Sequence, residues 1–285
     1  MFIKREDLIH EFVSGNKFRK LKYNIEYLKS KGFNKLITFG GAYSNHIAAV
    51  AAAGEIYGIE TLGVIRGEEL GDDLERTLQL NPTLCFASQK GMQFNFISRA
   101  KYREKDSLEF IEELKEKYSD AFIVPEGGTN DLAIKGTSEI LDATTVDFDI
   151  ITTAVGTGGT ISGLIEGSRT NQKVLGFPAL KADFLDKEIK KYTIKENWEL
   201  VNDYHFGGYA KTNDDLIIFI NQFKKETGIP LDPIYTGKML FGLVDMIKSK
   251  EIKSGTRILA IHTGGLQGIQ GMNDLLTKKK RITIN

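Results

Sequence analysis

Three glycine-rich turns each follow a short apolar run. They are Gly40-Gly41-Ala42-Tyr43-Ser44-Asn45, Gly156-Thr157-Gly158-Gly159-Thr160 and Thr263-Gly264-Gly265. Glycine lets the main chain approach a bound group closely. A helix starting just after such a turn offers an anion unpaired N–H groups and the positive end of its dipole. The turn at Gly156 is the best phosphate cradle, because Thr157 and Thr160 add hydroxyls. The plain alternative is a tight strand-to-helix turn that uses glycine for packing. A nucleotide P-loop needs Lys and Ser/Thr after its second glycine, and Gly163-Leu164-Ile165 does not supply them. A dinucleotide turn needs glycine at the sixth position, where Ile161 stands. It also needs an acid at the end of the next strand, which reads Gly176-Phe177-Pro178. A ligand with one phosphate and no ribose contacts remains.

A reactive amine stands near the start of the chain, in Ser14-Gly15-Asn16-Lys17-Phe18-Arg19-Lys20. A lysine amine forms a Schiff base with a carbonyl. Pyridoxal phosphate (PLP) needs such a lysine, a phosphate cradle and a group at its pyridine nitrogen. By residue type alone, Lys17 is an exposed lysine at a helix start, and Arg19, Lys20 and Lys22 strengthen that reading.

Alternating strands and helices must position these groups. Apolar runs predict strands at 36–39, 61–65, 94–97, 122–125, 150–155, 173–177 and 257–262. Helical spacing and alanine content predict helices at 45–57, 73–80, 108–118, 134–143, 160–168, 214–227 and 239–250. This alternation implies an α/β protein with parallel sheets and helices on both faces. A length of 285 residues suits one large α/β unit or two lobes.

Composition narrows the function classes. Lys and Arg total 38 and Asp and Glu total 38, so no overall field steers the chain to nucleic acid or an anionic membrane. The run Lys278-Lys279-Lys280-Arg281 reads as a solvated tail. Cys85 is the single cysteine, which fits a reducing, cytoplasmic setting. The first residues carry acids and no apolar h-region, unlike a secretory signal. The longest apolar run, 47–53, is far short of the roughly 20 residues that span a bilayer. The four histidines show no metal-ligand spacing, and no Gly-x-Ser-x-Gly elbow is present. With 29 glycines and only 5 prolines, the chain hints at backbone that approaches a ligand.

Lys4-Arg5-Glu6-Asp7-Leu8 followed by Gly15-Asn16-Lys17-Phe18-Arg19-Lys20-Leu21 resembles the opening of the 1-aminocyclopropane-1-carboxylate (ACC) deaminase/D-cysteine desulfhydrase family. That family is a branch of the fold-type-II, tryptophan-synthase-β-like PLP enzymes. The likeness continues in order through residues 41–46, 125–130, 155–160, 232–238 and 262–266. It implies two α/β domains with PLP in the cleft between them. The smaller would cover about 34–130, and the larger 1–33 plus 131–285.

The resemblance also implies roles. Lys17 would carry PLP, Asn45 would bond its ring hydroxyl, and Gly156, Thr157, Gly158, Gly159 and Thr160 would cradle its phosphate. Thr236 and Thr263 would contact the cofactor. Ser44, Asn45 and His46 would meet the substrate, with Ser44 also a proton carrier, although His46 suits a structural role equally. Tyr209 and Tyr235 would be the two active-site tyrosines, each with a packed aromatic as its plain alternative. In the deaminase branch a glutamate occupies the position of Thr236 and faces the pyridine nitrogen. A threonine hydroxyl offers only a neutral hydrogen bond, so the electron sink is weaker. This favours α,β-elimination of a good leaving group, with D-cysteine first, over opening of a cyclopropane.

Alternatives are ACC deamination, another sulfur amino-acid lyase activity, or a non-catalytic binding protein on the same scaffold. The resemblance implies a homodimer with a small amino-acid substrate and no nucleic-acid or membrane partner. Two departures stand out. Only sixteen residues precede Lys17, fewer than the family pattern implies, and Gln267 stands where proline is common.

Overall fold

The computed structural model describes residues 1–181 and 183–285. Its strands are β1 (Phe2–Arg5), β2 (Lys35–Gly41), β3 (Glu60–Arg66), β4 (Gln93–Ile97), β5 (Ala121–Val124), β6 (Ile150–Val155), β7 (Lys173–Pro178), β8 (Trp198–Leu200) and β9 (Ile258–His262). They form a four-stranded sheet in the order β4-β3-β2-β5 and a five-stranded sheet in the order β1-β9-β6-β7-β8. All the strand pairs run parallel. The expected α/β architecture of two parallel sheets is therefore present.

The helices are α1 (Asn16–Ser30), α2 (Asn45–Tyr57), α3 (Leu74–Leu80), α4 (Pro82–Gln89), α5 (Arg99–Tyr102), α6 (Leu108–Lys117), α7 (Asp131–Ser138), α8 (Gly159–Gly167), α9 (Leu185–Lys190), α10 (Asp214–Thr227), α11 (Thr236–Lys248) and α12 (Gly268–Lys278). Most starts follow local chemistry. The side chains of Ser44, Asn81, Ser107, Asn130 and Asn213 accept N–H bonds at the starts of α2, α4, α6, α7 and α10. Asn130 explains why α7 begins before the predicted residue 134. The start of α8 differs: Gly158 occupies its N-cap and no side chain caps it.

Alternation along the strands puts a core on each face of each sheet. In β2, Leu36 faces a cluster with Ile47, Val50 and Val124. Its neighbours Ile37 and Phe39 face Val64, Phe110 and Leu114. In the five-stranded sheet, Leu175, Phe177 and Ala260 pack on Met239, Leu240 and Leu243 of α11. Val174, Leu259 and Ile261 pack on Ile161, Leu164 and Ile165 of α8.

The N-terminal segment serves both sheets. β1 was not among the predicted strands. It pairs with β9, Phe2 opposite Leu259 and Arg5 opposite His262, a contact too distant in sequence for local patterning to reveal. Helix α1 buries Leu21, Ile25 and Leu28 in the core of the four-stranded sheet. Each such side chain contributes about 1.5–3 kcal/mol, well above the roughly 0.7 kcal/mol that separates ordinary helix propensities. Packing therefore holds this lysine-rich helix. Its other side meets α7 so closely that a Cβ on Gly136 would lie 1.9 Å from the Arg19 carbonyl oxygen.

Candidate active site

The three glycine turns lie at the carboxyl ends of β2, β6 and β9, where open α/β sheets bind ligands. Lys17 reaches them from the first turn of α1. Gly15 starts this helix at φ 62°, ψ −140°, and its Cα side abuts the Thr263 carbonyl. The Asn16 N–H donates to that same oxygen at 3.2 Å. Thr263 thus anchors the lysine's helix to the end of β9 through its main chain.

The Lys17 Nζ donates to the Gly127 carbonyl at 3.1 Å, and the Lys20 Nζ donates to the same oxygen at 2.9 Å. Lys20 also donates to Thr129 Oγ1 at 3.1 Å. Both amines are met by the Gly127 carbonyl, and Lys20 by a hydroxyl as well, rather than by a carboxylate. Burial lowers Lys17 to about 8, with Glu126 opposing the shift. Burial drives Lys20 well below its ordinary value, and the Lys17 charge adds to this. An anion bound beside two such amines would offset the cost of charging them.

The Gly156 turn faces Lys20. A Cβ on Gly159 would lie 2.6 Å from Thr129 Oγ1 and 2.9 Å from Lys20 Nζ. Thr129 Oγ1 and Thr157 Oγ1 are 2.7 Å apart, and Thr160 Oγ1 accepts a bond from Asn16 Nδ2 at 2.7 Å. Together with the uncapped α8 start, these hydroxyls and this amine are groups of the kind that bond a phosphate. Sequence reasoning missed Lys20, Thr129 and Asn16. In the sequence Lys20 supports an exposed reading of Lys17. It is buried, because three residues on a helix returns a side chain to the face of Lys17.

Ser44 caps α2, its Oγ accepting from Ile47 N at 3.4 Å. Asn45 reaches across to the other sheet, donating to the Gly265 carbonyl at 3.4 Å. His46 lies deeper, 2% exposed. Thr38 Oγ1 donates to the Val124 carbonyl at 2.9 Å and lies 2.8 Å from His46 Nε2, so Nε2 carries the ring proton. Nδ1 is left as a buried acceptor without a partner. A Cβ on Gly128 would lie 3.4 Å from that atom. Burial, followed by the Lys17 and Lys20 charges, lowers the His46 pKa far enough to keep the ring neutral.

Tyr235 stands over the Gly156 turn, where an added Cβ would lie 3.2 Å from its Cε1. Tyr209 packs edge-on against it, ring centroids 6.2 Å apart. Burial raises both phenols above their ordinary value, most strongly at Tyr235, so both keep their protons near neutrality. The next residue, Thr236, is fully buried. Its hydroxyl donates to Asp232 Oδ1 at 2.7 Å and accepts from Asp232 N at 3.0 Å. One lone pair remains. The Asp232 carboxylate also accepts the N–H groups of Ile234, Tyr235 and Thr236. Asp232 lies in the stretch 232–238 that carries the resemblance, with no role of its own read from the sequence.

The arrangement fits PLP: an amine of lowered pKa, a second buried amine at an open helix start, and phenols beside the same turn. Comparison with known proteins bears this out. The family described as "Pyridoxal-phosphate dependent enzyme" matches residues 1–264. A protein of Pyrococcus horikoshii provisionally named 1-aminocyclopropane-1-carboxylate deaminase is 32% identical, over 97% of this chain and 87% of its own. The chain belongs to the ACC deaminase/D-cysteine desulfhydrase family of PLP-dependent enzymes. The bifunctional D-cysteine desulfhydrase/1-aminocyclopropane-1-carboxylate deaminase of Arabidopsis thaliana, named as mitochondrial, is 31% identical over 94% of this chain and 73% of its own. The crystal structure of an ACC deaminase homologue superimposes with a TM-score of 0.81 at 30% identity, covering 97% of this chain and 87% of that one. PLP is thus this lyase's cofactor. Among the described residues no helix is long and apolar enough to cross a membrane.

Proposed function

We propose that this PLP enzyme carries out α,β-elimination on a small amino acid, with D-cysteine its first substrate. D-cysteine and water would yield pyruvate, hydrogen sulfide and ammonia. Bound PLP supplies an electron sink for the charge left at the α-carbon. Lys20, Thr157, Thr160 and the open start of α8 would hold its phosphate, and Asn45 would bond its ring hydroxyl. Lys17, at about 8, has a neutral fraction at physiological pH, so its Nζ would accept the α-proton. Ser44 and the start of α2 would receive the substrate carboxylate. Tyr235 and Tyr209 keep their protons, so either hydroxyl would donate to the departing sulfur rather than act as a base.

The choice of D-cysteine rests on one observation: a hydroxyl, not a carboxylate, follows Tyr235. The nearest carboxylate, Asp232, sits one hydrogen bond behind Thr236, and its charge is shared among four donors. It therefore supports a protonated ring nitrogen less strongly than a carboxylate in direct contact. A weaker sink suffices for expelling a thiol and suits opening of a carbon ring poorly.

ACC deamination is the second reading, favoured by the name of the Pyrococcus horikoshii relative. Product formation from D-cysteine, L-cysteine and ACC separates the two. D-cysteine should give the highest kcat/KM, and Thr236→Glu should shift the ratio toward ACC. A wild-type enzyme that prefers ACC would overturn the proposal.

A further inference from the structure

Lys238, like Lys20, is a buried lysine near the site, 1% exposed, and the chemistry above leaves it unused. It lies on α11, just after Tyr235 and Thr236. Its ammonium donates to the carbonyls of Ala179 at 3.1 Å, His205 at 2.9 Å and Gly208 at 2.9 Å. An ammonium has three hydrogens and no lone pair, so these carbonyls account for all of it. An apolar side chain of similar volume would fill the space but leave buried carbonyls without donors.

The carbonyls come from two places. Ala179 follows β7, and its N–H donates at 2.9 Å to the Val155 carbonyl, immediately before the Gly156 turn. His205 and Gly208 belong to an irregular segment. In it Phe206 (φ 54°), Gly207 (φ 92°), Gly208 (φ 127°) and Ala210 (φ 55°) have positive φ. Left-handed backbone is strained at Phe206 and Ala210, and it persists only where surrounding contacts over-determine it. Tyr209 lies inside this segment, 49% exposed, with its ring edge-on to Tyr235.

We infer that Lys238 is a positioning residue. Its three hydrogen bonds tie residues 205–210 to the end of β7 and so hold Tyr209 beside Tyr235. It acts through Tyr209. The activity arm of the test rests on the elimination reading, in which Tyr209 serves the reaction, whereas the exchange arm does not.

Holoenzyme carrying Lys238→Met, Lys238→Gln, Tyr209→Phe, and Lys238→Met with Tyr209→Phe is compared with wild type. The readouts are cofactor absorbance, amide hydrogen exchange, and kcat and KM on the best substrate of the panel. Lys238→Met should retain the cofactor band and speed exchange at the Gly207, Gly208 and Lys211 amides by about tenfold or more, the scale of a lost charged hydrogen bond. It should lower kcat/KM by a similar factor, yet add less than about twofold to the loss in Tyr209→Phe. Lys238→Gln, which keeps two donors, should fall between, and it decides the matter if the methionine variant does not fold. Wild-type exchange in a folded Lys238 variant, or losses that multiply with Tyr209→Phe, would overturn the inference. Faster exchange with a fully active Tyr209→Phe would overturn the catalytic half and leave the tethering supported.

Discussion

At the scale of single residues, the site depends on an amine that its surroundings have made less basic. The neutral fraction of Lys17 rises as pH climbs through about 8. Only the neutral amine attacks a carbonyl. The rate of PLP recapture by apoenzyme should therefore increase with pH and reach half its maximum near that value, as followed by return of the visible cofactor band. Lys17→Ala should show no such band at any pH. The phenols shift in the opposite sense: burial raises them, which suits proton donation. Thr236 shows how a neighbour changes a residue's meaning. A threonine can donate or accept, but here its hydrogen is committed to Asp232, which leaves its oxygen only as an acceptor.

At the scale of elements, Gly15 is the joint on which α1 and its lysine turn. Its φ of 62° lies in a region that disfavours side chains, and a Cβ would lie 1.9 Å from the Thr263 carbonyl oxygen. Gly15→Ala should lower stability in urea by roughly 3 kcal/mol, the sum of backbone strain and overpacking. It should also weaken PLP capture, because relief of the clash moves α1 away from β9. The start of α8 is the other decisive element. Seeing an uncapped glycine start in the sequence needed only the turn residues. Recognising Lys20 as its partner needed the helical spacing of α1, a signal that was present and was outweighed by the local density of lysines.

For the whole molecule, buried lysines make stability depend on pH. In the folded apoenzyme burial lowers Lys17 to about 8, against an ordinary value of 10.5. Between these pH values the unfolded chain holds a proton that the folded chain does not, so stability rises with pH across that window. Lys238, also lowered to about 8, contributes in the same direction. Urea midpoints of wild-type apoenzyme should therefore increase from pH 8 toward 10. Lys17→Met apoenzyme should show a shallower increase, because only the Lys17 share is lost. Equal slopes would mean that Lys17 stays charged in the folded protein.

Much of the architecture could be read in advance. The strand and helix alternation and the glycine turns rest on local propensity, and the ordered motifs from residue 4 to residue 266 carry the resemblance that implies PLP. These determined the fold class and the cofactor. The tertiary structure decided which lysines lose their water. The partly exposed Lys22 has the same side chain as Lys20 and Lys238, which are almost wholly buried. Only packing of α1 between the sheets, and of α11 against residues 205–208, removes solvent from them and supplies carbonyls in its place. β1 shows the same limit, since its partner β9 lies at the far end of the chain. Burial and distant pairing belong to the assembled chain, and they set a buried lysine apart from an ordinary one by exchanging its water for carbonyls.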